Sequence, residues 1–83
     1  MKIIDVRTKE EFDQEHLSEA INIDVNDIVR GKFPDLSKDT QILLYCASGA
    51  RSMYAKNFLE SCGFINITNG GSIYTLKAQG YKS

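Results

Sequence analysis

The sequence predicts an α/β domain in which a small, open and mostly parallel sheet carries helices on both of its faces. Apolar β-branched segments alternate with amphipathic segments along the chain, and this alternation is typical of parallel strands joined by right-handed crossovers. The run Ile42-Leu43-Leu44-Tyr45 is apolar throughout, which is typical of a strand buried on both faces. A loop of small residues and an amphipathic segment follow directly, so we expect a strand, a tight loop and a helix in succession.

Length and composition limit what this chain can be. Its 83 residues suffice for one domain, 1–83, and are too few for two. A net charge of -1 without a basic stripe gives no electrostatic reason to expect nucleic acid or an anionic membrane as a partner. No apolar run approaches the roughly 20 residues of a membrane span, and the chain starts like a strand. We therefore expect a cytoplasmic protein, or a periplasmic or exported one if Met1 was added to a mature form.

Strands and helices alternate in the first half of the chain, as judged from hydrophobic patterns and capping residues. The predicted elements are a strand over 2–6, a helix over 9–15, a strand over 20–23 and a short helix over 25–30. Thr8 is the expected N-cap of the first helix, with Glu11 at the capping-box position. Asp24 is expected to cap the short helix and Gly31 to end it.

The second half continues this alternation around the central strand. The predicted elements are the central strand over 41–45, a helix over 51–62, a strand over 65–68, a turn at 69–71 and a last helix that ends near 79. Gly63 is expected to end the long helix, because glycine accepts the left-handed conformation that closes many helices. Ser72 is expected to cap the last helix, with Ile73 and Leu76 facing the core.

Cys46 follows the central strand, where the carboxyl end of a strand meets the amino end of a helix. Open α/β sheets bind ligands at this edge, and unpaired backbone N–H groups there favour a thiolate over a thiol. The next residues are all small: Ala47, Ser48, Gly49 and Ala50. Side chains of this size let successive N–H groups surround one anion. We predict a nucleophilic Cys46, although a cysteine at a strand end, taken alone, is more often an inert core residue.

Arg51 closes this loop, and Ser52 begins the helix proper. A guanidinium at this position can pair with the oxygens of a small anionic ligand and can lower the pKa of the thiol. The alternative is a solvated arginine, which the helix dipole would slightly disfavour at a helix start. We expect the substrate to be bound by the backbone N–H groups of residues 47–52 together with the side chain of Arg51.

The spacing between Cys46 and Arg51 favours sulfur over phosphate as the bound group. Cysteine phosphatases resemble Cys-x5-Arg, whose larger loop holds a tetrahedral phosphate. Here only four residues separate the cysteine from the arginine. The smaller loop fits one sulfur atom better, and a cysteine phosphatase or an arsenate reductase stays the less favoured alternative.

Cys62, the second cysteine, is predicted to be a core residue on the inward face of its helix. One helix over 51–62 would hold the two thiols more than about 15 Å apart, beyond the reach of a disulfide. Two cysteines and one histidine also cannot supply the four ligands of a structural zinc site. We expect two free thiols, no metal and no cofactor.

Short motifs along nearly the whole chain together resemble the rhodanese family. They are Ile4-Asp5-Val6-Arg7, Glu11-Phe12, His16-Leu17, Ala20-Ile21-Asn22-Ile23, Tyr45-Cys46-Ala47-Ser48-Gly49-Ala50-Arg51-Ser52, Gly63-Phe64 and Asn69-Gly70-Gly71. Their brevity and spacing are most similar to the small single-domain thiosulfate sulfurtransferases of that family. The family usually has a further strand and helix before the first motif. The resemblance therefore implies a rhodanese-like sheet that lacks one edge strand.

The resemblance implies a sulfurtransferase that acts through a persulfide on Cys46. Sulfane sulfur from thiosulfate, or from a similar small anionic donor, would pass to a thiol, to cyanide or to an acceptor protein, and we expect a monomer. Asp5 and Arg7 are implied to support the site, Asp5 by holding the loop and Arg7 by pairing with an acid. His16 is implied to lie in a turn away from the chemistry. A persulfide carrier without turnover, or a protein-interaction module that retains the loop, stays as an alternative.

Overall fold

A four-stranded parallel sheet organises the fold. The computed structural model describes all 83 residues. Its strands are β1 (Lys2–Asp5), β2 (Ala20–Asn22), β3 (Ile42–Cys46) and β4 (Ile67–Ser72), and its helices are α1 (Lys9–Gln14), α2 (Val25–Ile28), α3 (Ala50–Ser61) and α4 (Ile73–Ala78). The strand order is β2-β1-β3-β4, which places β3 inside the sheet. The predicted α/β class and parallel sheet are confirmed.

Helices cover both faces of the sheet, because neighbouring strand residues point to opposite faces. On one face, a cluster of buried residues joins β1, β3 and β4 to α2 and α3, and includes Leu44 and Leu59. On the other face, a smaller cluster joins β1 and β3 to α4, and includes Leu43 and Leu76. Every residue of β3 is buried, as its apolar run predicts. No helix is long and apolar enough to cross a membrane.

The predicted N-caps are present and fix where the chain leaves the sheet, whereas the predicted end of the short helix at Gly31 is wrong, because α2 ends at Ile28 with Val29 as its C-cap. Thr8 and Glu11 form a capping box, in which Thr8 Oγ1 accepts from the Glu11 N–H and the Glu11 carboxylate accepts from the Thr8 N–H. Asp24 and Ser72 each accept a hydrogen bond from a backbone N–H in the first turn of α2 and α4. These caps satisfy N–H groups that would otherwise lack partners. They also place Thr8 and Asp24 just beyond the carboxyl ends of β1 and β2.

The strand β4 lies further along the chain than predicted. The fourth strand predicted over 65–68 is present but overlaps β4 only at 67–68, and the turn expected at 69–71 is wrong, because β4 begins at Ile67 and continues to Ser72. The apolar pair Ile65 and Ile67 suggested an earlier start, yet Ile65 is 78% exposed. Pairing with the fully buried β3 outweighs the weak strand propensity of an Asn-Gly-Gly segment.

A β-bulge keeps this glycine-rich segment within the sheet. Leu44 pairs with Asn69 and Cys46 pairs with Ser72, so β4 has one residue more than β3 in this interval. Gly71 has a φ of 83°, which glycine adopts without steric strain. The bulge lies beside the loop that follows Cys46, and its Asn69 contacts that loop.

The end of α3 corrects the predicted environment of Cys62. Cys62 is exposed rather than in the core, because α3 ends at the preceding residue. Gly63 has a φ of 100°, and the Phe64 N–H donates to the Leu59 carbonyl across 3.2 Å, as in a Schellman motif. This reversal brings Phe64 into the core instead of Cys62. Both cysteines are free, as predicted.

Candidate active site

Cys46 lies at the carboxyl edge of the sheet, as the sequence predicts. It is the last residue of β3 rather than the first residue of the loop, and it is only 1% exposed. The loop that follows consists of Ala47, Ser48 and Gly49, and α3 begins at Ala50. The sulfur is therefore held between the end of a buried strand and the amino end of the longest helix.

Hydrogen-bond donors of the loop are directed at the sulfur. The Gly49 N–H donates to Cys46 Sγ across 3.0 Å, and the Ser52 hydroxyl oxygen lies 3.5 Å from the same atom. Gly49 has a φ of 97°, and a Cβ at this position would lie 3.4 Å from Gly71 Cα. A glycine is therefore needed for the loop to turn its N–H inward beside β4. This arrangement suits a negatively charged sulfur.

These contacts lower the pKa of the Cys46 thiol. Burial of the sulfur raises the pKa, but the Ser52 hydroxyl and the backbone N–H groups of Ser52, Ser48 and Gly49 lower it by more. A lowered pKa increases the fraction of thiolate, which is the nucleophilic form of cysteine. The site thus favours a reactive sulfur despite its burial.

Asn69 joins β4 to the cysteine loop. Its Oδ1 lies 2.6 Å from Ser52 Oγ and accepts from the Gly71 N–H across 2.9 Å. Its Nδ2 donates to the Gly49 carbonyl oxygen across 3.2 Å. Ser52 is 0% exposed, so its hydroxyl is confined between Cys46 and Asn69. The predicted loop residue Ser52 therefore contributes its side chain as well as its backbone.

Arg51 forms a two-point ion pair with Glu11 of α1. Arg51 Nη1 and Nη2 lie 2.6 and 2.9 Å from Glu11 Oε1 and Oε2. The hydrogen bond from Arg51 is the main cause that lowers the pKa of Glu11 to about 2, although partial burial opposes it. The same contact raises the pKa of Arg51. A guanidinium has five N–H donors, so three of them are not used by Glu11. Substrate binding by Arg51 stays a prediction.

Asp5 and Arg7 form a buried ion pair at the carboxyl end of β1. Arg7 Nη2 lies 2.7 Å from Asp5 Oδ2, and Arg7 Nε donates to Asp5 Oδ1 across 3.0 Å. Arg7 also donates to the backbone carbonyl of Glu15. The expected pairing of Arg7 with an acid is present. The expected role of Asp5 is corrected, since its carboxylate holds Arg7 and accepts no hydrogen bond from the cysteine loop.

His16 lies in the turn before β2, away from the sulfur. Its Nδ1 is 2.7 Å from the Phe12 carbonyl oxygen, and its ring stacks on the Phe12 ring with centroids 3.7 Å apart. Cys46 has no histidine among its hydrogen-bond partners. The structure brings together no group of His, Cys, Asp or Glu side chains that could hold a metal ion.

Two residues of the site, Glu11 and Asn69, are not predicted as site residues by the sequence. The capping box is by itself a sufficient explanation for Glu11, so the sequence gives no reason to expect its second partner, Arg51. The two glycines that follow Asn69 predict a turn, and a turn residue needs no role in the site. One signal could have identified Asn69, because the carboxyl end of a strand beside β3 must lie at the same edge as Cys46.

The fold and site together define a parallel α/β protein that holds a cysteine with a lowered pKa at the carboxyl edge of its sheet. This chain belongs to the rhodanese-like family, since the model of the rhodanese-like domain matches residues 1–74. It is similar to thiosulfate sulfurtransferase PspE of Escherichia coli (strain K12), with 34% identity over 73 residues that cover 84% of this chain and 68% of the relative. Homology of this kind supports sulfur transfer in general.

Two further comparisons bear on the fold and on the length of the relatives. A solved structure, described as a rhodanese with anions from E. coli, is similar with a TM-score of 0.81 and 32% identity, covering 89% of this chain and 88% of that one. A probable molybdopterin-synthase adenylyltransferase of Porphyra purpurea is 37% identical over 76 residues. This match covers 88% of the chain but only 20% of the relative. The chain therefore corresponds to a small part of that larger protein.

Proposed function

We propose that this chain is a single-domain sulfurtransferase that moves sulfane sulfur from thiosulfate, or from a similar small anion, to a thiophilic acceptor through a persulfide on Cys46. The contact of the Gly49 N–H with Cys46 Sγ, at 3.0 Å, is the observation that carries this proposal. Inward-facing N–H groups stabilise a thiolate and can stabilise the negative outer sulfur of a persulfide in the same way. Membership in the rhodanese-like family supports sulfur as the transferred group.

In the first half-reaction, the Cys46 thiolate attacks the sulfane sulfur of thiosulfate. A bond forms between Sγ and that sulfur, the S–S bond of thiosulfate breaks, and sulfite leaves with the bonding electron pair. Thiolate and thiosulfate become persulfide and sulfite, so charge is conserved and no oxidant is consumed. A general base is not needed once the thiolate has formed, which fits a site without a histidine.

In the second half-reaction, an acceptor attacks the outer sulfur of the persulfide. The S–S bond of the persulfide breaks, its electron pair returns to Cys46 Sγ, and the thiolate is restored. Cyanide would leave as thiocyanate, and a thiolate acceptor would leave as a persulfide. Donor and acceptor react in turn with one sulfur atom of the enzyme, so we expect ping-pong kinetics.

Arg51 is proposed to assist the donor rather than the sulfur itself. Those of its N–H groups that Glu11 does not use can donate to the oxygens of a sulfonate-like group. The E. coli rhodanese described with anions supports a small anion as a ligand of this kind of domain. The positive charge is partly offset by Glu11, so the assistance is expected to be moderate.

Thiosulfate-to-cyanide sulfur transfer in a Cys46→Ser variant tests the proposed function. We expect no transfer by this variant, with an unchanged circular dichroism spectrum, because the hydroxyl is a far weaker nucleophile than the thiolate. Cys62→Ser is the matched control and should keep full activity, since Cys62 is exposed at the end of α3. Sulfur transfer retained by Cys46→Ser would overturn the proposal.

A persulfide carrier is the second candidate function, and the burial of Cys46 favours it. With the residue 1% exposed, thiosulfate and small acceptors alike reach the sulfur only if the loop moves or a partner protein opens it, and a carrier exchanges its sulfur with partner proteins. A chain that gains one sulfur atom from thiosulfate, but does not turn over with cyanide or small thiols, would be a carrier. A chain that turns over with either acceptor would be an enzyme.

A further inference from the structure

A chain of three polar side chains, Cys46, Ser52 and Asn69, connects β3 through α3 to β4. Cys46 Sγ lies 3.5 Å from Ser52 Oγ, which lies 2.6 Å from Asn69 Oδ1. We propose that Asn69 is a positioning residue that holds the hydroxyl proton of Ser52 away from Cys46 and thereby favours the protonated thiol. This inference depends on the proposed function only in taking Cys46 as the nucleophile.

The orientation of the Asn69 amide is fixed by two backbone groups. Its Oδ1 accepts from the Gly71 N–H at 2.9 Å, and its Nδ2 donates to the Gly49 carbonyl oxygen at 3.2 Å. A flipped amide would set its NH2 group against the Gly71 N–H and its oxygen against the Gly49 carbonyl, and both contacts would be repulsive. The oxygen of the amide is therefore the atom that faces Ser52.

The single hydroxyl proton of Ser52 must be shared among three acceptors. Ser52 Oγ lies 2.6 Å from Asn69 Oδ1, 3.1 Å from the Gly49 carbonyl oxygen and 3.5 Å from Cys46 Sγ. Asn69 Oδ1 carries no proton of its own. Two oxygens as close as Ser52 Oγ and Asn69 Oδ1 need a proton between them, so the Ser52 hydroxyl proton points at Asn69. In this arrangement Ser52 offers only a lone pair to Cys46.

The consequence for Cys46 depends on its protonation state. A neutral thiol can donate its S–H to Ser52 Oγ, and the chain of donors then runs from Cys46 through Ser52 to Asn69. A thiolate receives the Ser52 proton only if the hydroxyl rotates and gives up its bond to Asn69. The Ser52 hydroxyl and the loop N–H groups both lower the pKa of Cys46. In this proposal Asn69 weakens the contribution of the hydroxyl, because it competes for the same proton, whereas the loop N–H groups keep their full effect.

The pH dependence of Cys46 alkylation by iodoacetamide tests the proposal in an Asn69→Ala variant. All variants carry Cys62→Ser, because the exposed Cys62 would also react. Removing Asn69 Oδ1 leaves the Ser52 proton two acceptors, the Gly49 carbonyl oxygen at 3.1 Å and the sulfur at 3.5 Å. The charged thiolate is the stronger acceptor of the two, so we expect the pKa of Cys46 to fall by about one. At a pH well below both pKa values the thiolate fraction should then rise about tenfold, and alkylation should be about threefold faster, because a thiolate of lower pKa is a weaker nucleophile. A purely structural role for Asn69 predicts the opposite sign, because a loosened loop withdraws the Gly49 N–H from the sulfur.

A double-mutant cycle with Ser52→Ala shows whether Asn69 acts through Ser52. In the Ser52→Ala background, Asn69→Ala should leave the pKa of Cys46 unchanged, since no hydroxyl proton remains to be redirected. An unchanged or raised pKa in Asn69→Ala alone would overturn the proposal. A fall of the same size in the Ser52→Ala background would overturn it as well.

Two further measurements keep the test valid if Asn69→Ala does not fold. Asn69→Leu keeps the branching and the number of side-chain heavy atoms, fills the site better than alanine and should also lower the pKa of Cys46. The S–H stretching frequency of Cys46 at acidic pH, in the Cys62→Ser chain, should be lower than in Ser52→Ala because the thiol donates a hydrogen bond. Equal frequencies would contradict the proposal. Alkylation and S–H stretching need no sulfur donor, so their outcome is separate from that of the sulfur-transfer assay.

Discussion

Arg51 Nη1 and Nη2 lie 2.6 and 2.9 Å from the two carboxylate oxygens of Glu11, so the first turn of α3, directly after the cysteine loop, is tied to the first turn of α1. The capping box with Thr8 holds the Glu11 carboxylate in this position. A helix cap thereby becomes part of the environment of the candidate active site. Because the carboxylate offsets the guanidinium, Arg51 presents less positive charge to an anionic donor than an unpaired arginine would.

Glu11→Gln should strengthen the use of thiosulfate. Removing the carboxylate leaves the Arg51 charge unopposed, so we expect the KM for thiosulfate to fall about threefold, as for a partly exposed ion pair. Steady-state kinetics with thiosulfate as the varied substrate measure this effect. Glu15→Gln is the matched control, because it breaks a pair with Lys77 that lies outside the loop. A raised KM in Glu11→Gln would show that Glu11 positions Arg51 rather than offsetting its charge.

Arg51→Ala should affect the donor more than the fold. Losing the charged N–H donors should raise the KM for thiosulfate roughly tenfold, with a smaller change in kcat. The free energy of unfolding in urea should change little, since the Arg51 side chain is 37% exposed. Lys56→Ala is the control on the same helix, where Lys56 pairs with Glu60. An unchanged KM would remove Arg51 from the donor site.

The ion pair of Glu11 should make stability depend on pH in the acidic range. The pKa of Glu11 is lowered to about 2, chiefly by the hydrogen bond from Arg51. A carboxylate with a lowered pKa in the folded state stabilises the fold above its unfolded pKa of about 4.3, and this contribution is lost as the pH falls towards the folded value. Solvent screening limits the contribution to about 1 kcal/mol or less, because the Glu11 side chain is 34% exposed.

Urea unfolding at about pH 7 and about pH 3 measures this contribution. The free energy of unfolding should fall more on acidification in the wild-type chain than in Glu11→Gln. An equal fall in both chains would show that Glu11 does not contribute to the pH dependence.

The buried pair of Asp5 and Arg7 should matter for folding rather than for chemistry. Arg7→Met would leave the Asp5 carboxylate buried without a partner, so we expect a loss of about 3 to 5 kcal/mol in the free energy of unfolding. The double variant with Asp5→Asn should recover part of that loss. Lys9→Met, which breaks an exposed pair with Asp13, should change stability little. A loss of equal size in Lys9→Met would contradict this interpretation.

The central part of the fold could be predicted because its signals are local. The apolar run of β3 and the small residues after Cys46 determine where the strand ends. Gly63 marks the turn after α3. The prediction that Cys62 lies in the core was wrong, because helical spacing alone does not show at which residue the last turn of a helix ends. β4 could not be located, since pairing with β3 and a bulge at Gly71 together outweigh its weak local propensity.

The partners of the site residues could not be predicted, because they are distant in sequence. Arg51 and Glu11 are 40 positions apart, and Ser52 and Asn69 are 17 apart. Each of these residues has a complete local explanation as a cap, a helix start or a turn. Only the strand order, which places β1 and β4 on either side of β3, brings these distant residues to one edge. The position of Cys46 at the sheet edge was predictable from the strand and loop around it, whereas its contacts with Ser52 and, through Ser52, with Asn69 depend on tertiary structure.

Intact mass after incubation with thiosulfate tests most directly whether Cys46 carries the transferred sulfur. The wild-type chain and Cys62→Ser should each gain the mass of one sulfur atom, Cys46→Ser should gain none, and cyanide should then remove the added sulfur. No gain in the wild-type chain, or the same gain in Cys46→Ser, would contradict a persulfide on Cys46.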